Sequence, residues 1–217
     1  MMKEIYQGIF KQGNKLYTKN LSKGSVYGEE IVSFENNEYR FFDPFRSKFA
    51  AAILKGLKSP LKKESSMLYL GASSGTTISH ISDILSQGFI YGVEFSKRVA
   101  SQLYLVSKNR ENLVLIIKDA NAPEEYASFV PQVDFLYEDI AQRNQYEIFI
   151  KNSSLFLKNQ GYGMLCIKAR SIDVTKKPKE IFEEIIKKLK QDNFEIISNL
   201  ILEPFQKDHC FILARKT

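Results

Sequence analysis

LYLGASSGTTISH, residues 68–80, decides how this chain is read. An apolar run ends at Gly71, turns through residues 72–75, and passes into TTISHISDILSQ (76–87), whose apolar positions fall at helical spacing. This is a strand, a glycine turn and a helix. Gly71 and Gly75 let the backbone turn tightly and come close to a ligand. Thr76 and Thr77 stand at the helix start, where free N–H groups and hydroxyls meet the polar end of a nucleotide-like molecule. The spacing is neither the Gly-x-Gly-x-x-Gly dinucleotide fingerprint nor a Walker motif. Taken alone, the competing reading is a purely structural turn.

Downstream of this turn, strands and helices alternate. FIYGVEF, LVLIIKDA, VDFLYEDI and GYGMLCIKA read as strands. KRVASQLYLVSKNR, QYEIFIKNSSLFLK and Pro178–Gln191 read as helices, with a short helix after Pro123. Near-continuous apolar strands separated by helices predict a parallel sheet covered on both faces. The last two strands, FEIISNLILEP and HCFILARK, have no helix between them and are expected to pair antiparallel at one edge. The expected fold class is α/β. It is a Rossmann-like seven-stranded sheet with an antiparallel last strand, the architecture of class I methyltransferases; the generic alternative is any doubly wound nucleotide-binding fold.

Upstream, residues 1–42 read as a small N-terminal β module, a meander with turns near Gly13-Asn14, Ser22–Gly24 and Asn36-Asn37. The larger domain is expected over 43–217. Asp43 is the expected N-cap, with Pro44 at the first position, of a helix over FRSKFAAAILKGL.

The 217 residues are 44% hydrophobic and 26% charged, an ordinary globular composition. No apolar run is long enough to span a bilayer, so no membrane partner is expected. The start, MMKEIYQGIF, lacks a charged segment followed by a long apolar one, so no signal peptide is expected. Cys166 and Cys210 lie in apolar strand-like runs and read as reduced core thiols in a cytoplasmic protein. A net charge of +6 fits a polyanionic partner, although lysine-rich composition also accompanies high growth temperature.

Carboxylates end three successive strands: Glu94, then Asp119 before Ala120, then Glu138-Asp139. Strand carboxyl ends are where open α/β sheets bind ligands, and an acidic residue about twenty positions after the glycine turn suits ribose hydroxyls. Each alone reads as a helix cap or solvated turn. All three beside the glycine turn read as one crevice.

Longer motifs carry a specific resemblance. EYRFFDPFRSKFAAAI, LYLGASSGTTISHISDI, GVEFSKR, KDANAPEEYASFVPQVDFLYEDIAQ, IKARSID and LEPFQKDH occur in that order and resemble fibrillarin over residues 25–217. Phe42-Asp43 and Ile140 depart from the family pattern without touching a charged active-site position, and the missing Gly/Arg-rich tail resembles archaeal members. The resemblance implies RNA-guided ribose 2′-O-methylation of rRNA and tRNA, with S-adenosylmethionine as cofactor. It also implies a Nop-type scaffold protein, a kink-turn-binding ribosomal-type protein and a box C/D guide RNA as partners. By resemblance, Gly71, Thr76, Thr77, Glu94, Phe95, Asp119, Ala120, Asp139, Ile140, Ala141 and Gln142 line the cofactor site. Lys48, Asp139, Lys168 and His209 are the implied catalytic set, with Glu203 and Asp208 competing with His209 for its place. Arg46, Lys48, Arg170, Lys176 and Lys177 are the candidate RNA contacts.

The residue types suit the chemistry. A ribose hydroxyl is a weak acid and must lose its proton as it attacks in line. A lysine with a depressed pKa accepts that proton. Lys168 is expected in that role, with Lys48 lowering its pKa and touching the target phosphate, Asp139 orienting it and His209 hydrogen-bonding the ribose. His80 reads as structural. No cluster has metal-ligand spacing, so no metal is expected. The rival readings are an NAD-dependent oxidoreductase, which the glycine spacing disfavours, and a non-catalytic RNA-binding subunit, which Lys168 and Asp139 disfavour.

Overall fold

The computed structural model describes residues 2–217. Five short strands build the first sheet: β1 (Lys3–Tyr6), β2 (Ile9–Gln12), β3 (Lys15–Lys19), β4 (Ile31–Phe34) and β5 (Asn37–Phe41). All pairs are antiparallel, in the order β1-β2-β3-β5-β4. The β4–β5 turn falls at Glu35 and Asn36, both at positive φ, one residue earlier than the sequence pattern placed it.

The second sheet contains β6 (Ser66–Leu70), β7 (Phe89–Val93), β8 (Leu113–Ile116), β9 (Val133–Glu138), β10 (Leu157–Lys168), β11 (Phe194–Ile201) and β12 (His209–Lys216). Its order is β11-β12-β10-β9-β6-β7-β8. Strands β6 to β10 pair in parallel, and β12 runs antiparallel to both β10 and β11. From β6 the chain builds outward to β7 and β8, then returns to the other side of β6 for β9 and β10. The switch point therefore lies between the carboxyl ends of β6 and β9, the place where such sheets open a crevice.

Alternation along each strand fills two apolar layers. Met67, Tyr69, Phe135, Tyr137 and Phe211 face α1 (Lys48–Leu54) and α2 (Thr76–Ile84). Leu68, Leu70, Leu136, Leu165 and Ile212 share the other layer with Ile148 and Phe149 of α4 (Gln145–Phe156) and with Ile181 and Ile185 of α6 (Pro178–Gln191). Between these, α3 (Lys97–Ser107) follows β7, and α5 (Ala169–Ile172) follows β10.

Two boundaries differ from the sequence reading. Helix α1 begins at Lys48, capped by Ser47, whose Oγ accepts from the Ala50 N–H at 3.3 Å. Asp43 caps a tight turn instead: its Oδ1 accepts from Phe45 N at 2.8 Å, and its carbonyl accepts from Arg46 N and Ser47 N. Strand β10 begins at Leu157, where a helix was expected to continue; its register against β9 slips between Leu157 and Tyr162.

The N-terminal sheet locks onto α2 through buried polar groups. Arg40 Nε meets Glu29 at 2.6 Å and Nη1 meets Asp83 at 2.8 Å, and Arg110 meets the other Asp83 oxygen at 2.6 Å. Burial works against the Glu29 carboxylate, but the Val26 and Tyr27 N–H groups and Arg40 hold its pKa at about 2. His80 is fully buried, with Nδ1 2.7 Å from Thr18 Oγ1, Nε2 2.8 Å from the Tyr27 hydroxyl, and its ring stacked on Phe42. Burial first, then Arg40 and Arg110, hold the imidazole well below its ordinary pKa, so it is neutral. Cys166 and Cys210 are free and buried. Among the described residues no helix is long and apolar enough to cross a membrane.

Candidate active site

Gly71 leaves β6 at φ 80°, and a Cβ there would lie 2.5 Å from the Asp139 carbonyl. Only glycine permits this approach, which seats the β6 and β9 loops side by side. Gly71 N bonds Val93 O and Asp139 N bonds Leu70 O, so both loops leave the sheet still tied to it. A cleft of about 350 Å³ opens beside them, lined by Gly71, Ser73, Glu94, Phe95, Lys118, Asp119, Ala120, Asp139, Ile140, Ala141 and Gln142. Nine of the eleven predicted cofactor residues meet there. The other two, Thr76 and Thr77, line an adjoining cavity of about 290 Å³ with Arg46, Lys48 and Tyr69; the two cavities share Gly71, Ser73 and Asp139.

Glu94 is buried, and its two oxygens accept from Ser73 N and Ser96 N, each at 2.9 Å. These bonds fix the carboxylate and hold Ser73 at φ 52°, outside the usual range for a residue with a side chain. Phe95 next to it is 66% exposed, an apolar face presented to the cleft. Asp119 closes an Asx turn onto Asn121, whose amide reaches Gln142 Oε1 at 3.2 Å.

Lys48, Asp139, Lys168 and His209 come from α1, the end of β9, the end of β10 and the start of β12. Lys168 and His209 are direct cross-strand partners. Lys48 Nζ lies 2.8 Å from Asp139 Oδ1 and 3.0 Å from Oδ2. Asp139 was expected to orient Lys168; its carboxylate instead grips Lys48. Burial pulls the Lys48 pKa down, but the Asp139 charge, Cys166 and the hydrogen bond to Asp139 together outweigh it, and the ammonium is held above its ordinary value. His209 is 9% exposed, and its Nδ1 lies 2.6 Å from the Lys207 carbonyl. Burial lowers its pKa, Lys48 and Lys168 push the same way, and the Lys207 carbonyl and Asp139 oppose them; the net direction is down. A neutral imidazole that donates from Nδ1 carries a free lone pair on Nε2.

A sequence model of the fibrillarin family matches residues 1–217. The chain belongs to the fibrillarin family. The fibrillarin-like rRNA/tRNA 2′-O-methyltransferase of Methanocaldococcus jannaschii is 49% identical, over 98% of this chain and 96% of that one. Aeropyrum pernix fibrillarin, in a structure with natively bound S-adenosyl-L-methionine, superposes with a TM-score of 0.88 at 42% identity, over 99% of both chains. A chain from a fibrillarin/Nop5p complex superposes at 0.93 with 41% identity, over 99% of this chain and 100% of that one.

In this fibrillarin-family chain the candidate RNA contacts spread over three places. Arg46 is exposed at the adjoining cavity, its guanidinium 4.9 Å from the Tyr27 ring centroid. Arg170 bonds Asp208 at 3.3 Å and the Val174 carbonyl at 3.0 Å. Lys176 is paired with Glu184 at 2.6 Å, while Lys177 caps α6. One residue escaped the sequence reading altogether. Gln145, fully buried at the start of α4, accepts from Lys168 N through Oε1 at 3.1 Å, and its Nε2 donates to the Gln142 carbonyl at 2.9 Å. It clamps the backbone of the candidate catalytic lysine to the cofactor-side loop.

Proposed function

We propose that this chain transfers the methyl group of S-adenosylmethionine to ribose 2′-hydroxyls of rRNA and tRNA. It works in a ribonucleoprotein where a Nop-type scaffold holds it, a box C/D guide RNA selects the target, and a kink-turn-binding ribosomal-type protein organises the guide. The observation that carries the reading is the meeting of Lys48, Asp139, Lys168 and His209 beside a cleft walled by strand-end carboxylates.

The cleft fits the cofactor on its own chemistry. Glu94 is fixed by two backbone N–H groups, and its remaining lone pairs suit ribose hydroxyls. Phe95 offers a ring for a purine, and Gly71 keeps the floor free of side chain. When bound, S-adenosylmethionine supplies an electrophilic methyl group. The residues of the chain have to orient the hydroxyl and take its proton.

Lys48, paired with both Asp139 oxygens, serves in this reading as a fixed positive charge facing the RNA. Lys168 accepts the proton in this reading. His209 accepts a hydrogen bond from the ribose at Nε2, because the Lys207 carbonyl occupies its Nδ1–H. Arg46 and Arg170 supply further charge for phosphates, a sequence-independent attraction that leaves target choice to base pairing. The test is methyl transfer by the reconstituted particle to a defined RNA, with the modified nucleotide mapped by mass spectrometry. No 2′-O-methyl product from a particle that binds both S-adenosylmethionine and RNA would overturn the reading.

A further inference from the structure

The N-terminal module takes no part in the chemistry above, yet it holds one loop close to the site. Residues 20–30 connect β3 to β4. The Glu29 carboxylate gathers this loop: it accepts from Ser25 Oγ at 2.8 Å, Val26 N at 3.0 Å and Tyr27 N at 2.8 Å, and is itself paired with Arg40. Glu38 accepts from Gly24 N and from Asn20 Nδ2, each at 3.1 Å. The loop is therefore fixed before any partner arrives. Between it, the start of α2 and one face of α3 lies a groove of about 450 Å³. Arg46 and Thr76 line both this groove and the cavity that contains Lys48 and Asp139, so the two are continuous.

The charge of the groove is one-sided. Its wall includes Lys23, Arg46 and Arg110 and no carboxylate. The buried cluster behind it cancels, since Arg40 and Arg110 are matched by Glu29 and Asp83. That leaves the charges of Lys23 and Arg46, neither of which forms an ion pair among the described residues. Arg46 lies over the Tyr27 ring, which holds the guanidinium at the junction of the two cavities; its N–H groups make no hydrogen bond to the described residues. Donors are in surplus as well. The side chains of Ser22, Ser74, Gln102 and Asn109 bond nothing among the described residues, and the Nε–H of Arg110, itself 2% exposed, has no acceptor. Unpaired cations and unspent donors without a carboxylate fit a run of phosphates. The one aromatic ring in the wall, Tyr27, has a face covered by Arg46, so the groove is not made for stacking a base. Phosphates lie on the outside of a duplex, so this contact leaves guide–target pairing intact.

We infer that this groove clamps the phosphodiester backbone of the paired RNA beside the target nucleotide, and that the N-terminal module exists to hold Lys23 there. Lys23 and Arg46 take nearby phosphates of one strand. Arg46 is already a candidate RNA contact; the 20–30 loop, Lys23 and the α3 wall are the addition. The inference rests on the RNA methylation reading and adds a subsite to it. Phosphate contacts set register and orientation without reading sequence, which is what a site served by a guide RNA needs.

The test measures binding of a substrate RNA to the assembled particle as salt is varied. Lys23→Ala is expected to lower the slope of log affinity against log salt by about one, the loss of one phosphate contact, and to weaken binding up to about fivefold near 0.1 M salt. Lys23→Arg keeps the slope, and Lys187→Ala, a lysine on α6 away from the groove, leaves it unchanged. A second arm scans a neutral methylphosphonate along both strands on either side of the target nucleotide. At one or two positions the modification weakens binding to the wild-type particle and costs nothing further in Lys23→Ala, because the two changes remove the same contact. Lys23 is exposed, and unchanged S-adenosylmethionine affinity of the isolated Lys23→Ala chain shows that the fold is intact. An unchanged slope in Lys23→Ala, an equal loss in Lys187→Ala, or additive effects at every methylphosphonate position would overturn the inference. So would loss of the Nop-type scaffold from the Lys23→Ala chain in an RNA-free pull-down, which would make the groove a protein contact. Binding needs no methyl transfer. The methylation reading is judged separately, by the 2′-O-methyl product of the wild-type particle.

Discussion

Replacing Gln145 by methionine keeps the length of the side chain and removes all its hydrogen bonds. The Lys168 N–H loses an acceptor at 3.1 Å and the Gln142 carbonyl loses a donor at 2.9 Å, in a site where the side chain itself is fully buried. A buried backbone group left without a partner costs about 1–3 kcal/mol, so the pair amounts to roughly 2–6 kcal/mol. For a chain of this size each kcal/mol lowers Tm by about 2–4 °C, which gives a drop of roughly 4–24 °C. The kinetic effect has a different origin. Gln145 sets the height of the Lys168 backbone relative to the loop that carries Asp139 and Gln142. A misplacement of about 1 Å at a reacting group costs about a hundredfold. Single-turnover methylation in the assembled particle, measured well below the new Tm, is expected to slow by about that factor. S-adenosylmethionine affinity, measured by calorimetry on the isolated chain, is expected to weaken only about fivefold or less, because Gln142 is one wall residue among many. A variant that melts early yet methylates at the wild-type rate would refute the positioning argument and leave Gln145 a purely structural residue.

Lys168→Arg keeps the charge but cannot deprotonate at working pH, so single-turnover methylation should fall about 10²- to 10⁴-fold with cofactor affinity retained; a near-normal rate would remove Lys168 as proton acceptor. Gly71→Ala would force a Cβ to 2.5 Å from the Asp139 carbonyl at φ 80°, so calorimetry should show S-adenosylmethionine affinity reduced at least about tenfold, and melting should show a loss of about 1–3 kcal/mol or more. His80 has its folded pKa well below the unfolded value near 6.5, so the unfolded chain takes up the proton first. Its contribution to stability is therefore complete above about pH 6.5 and falls by up to about 1.4 kcal/mol per pH unit below it. Denaturant melts from pH 7 to pH 5 should show that slope shrink in His80→Gln; an unchanged slope would contradict the buried neutral state.

Much of the architecture was readable because its signals are local. The helix after Gly75, the alternation that sorts Met67 and Tyr69 from Leu68 and Leu70, and the carboxylates at the strand ends all follow from short-range pattern. The start of α1 was misread because Asp43 and Ser47 are both good caps, four residues apart. The choice between them is made by a tertiary contact: Gln206 holds the Pro44 and Phe45 carbonyls and fixes residues 43–46 as a turn. The partner of Asp139 was equally out of reach. Lys48 lies 91 positions away, and only the packing of α1 against the sheet decides which of two lysines the carboxylate meets. Gln145 carries no pattern of its own; its value lies in spanning the gap between two loops.

The Lys48–Asp139 pair has a consequence for how the site divides its work. Two lysines stand near one hydroxyl-binding position. The carboxylate breaks that symmetry. It raises the Lys48 pKa and fixes Lys48 as a permanent charge. Asp139 is thereby engaged on both oxygens. The proposed reading takes the proton acceptor from the β10–β12 side, where Lys168 and His209 sit opposite one another across the two strands. His209 is neutral, but its place is fixed by a single carbonyl and its environment disfavours the protonated form. A base that resists protonation serves better as a hydrogen-bond acceptor that aligns the ribose than as the final holder of the proton. In the proposed reading Lys168 takes that role, and its backbone, unlike that of Lys48, is held by a buried amide tied directly to the cofactor-side loop.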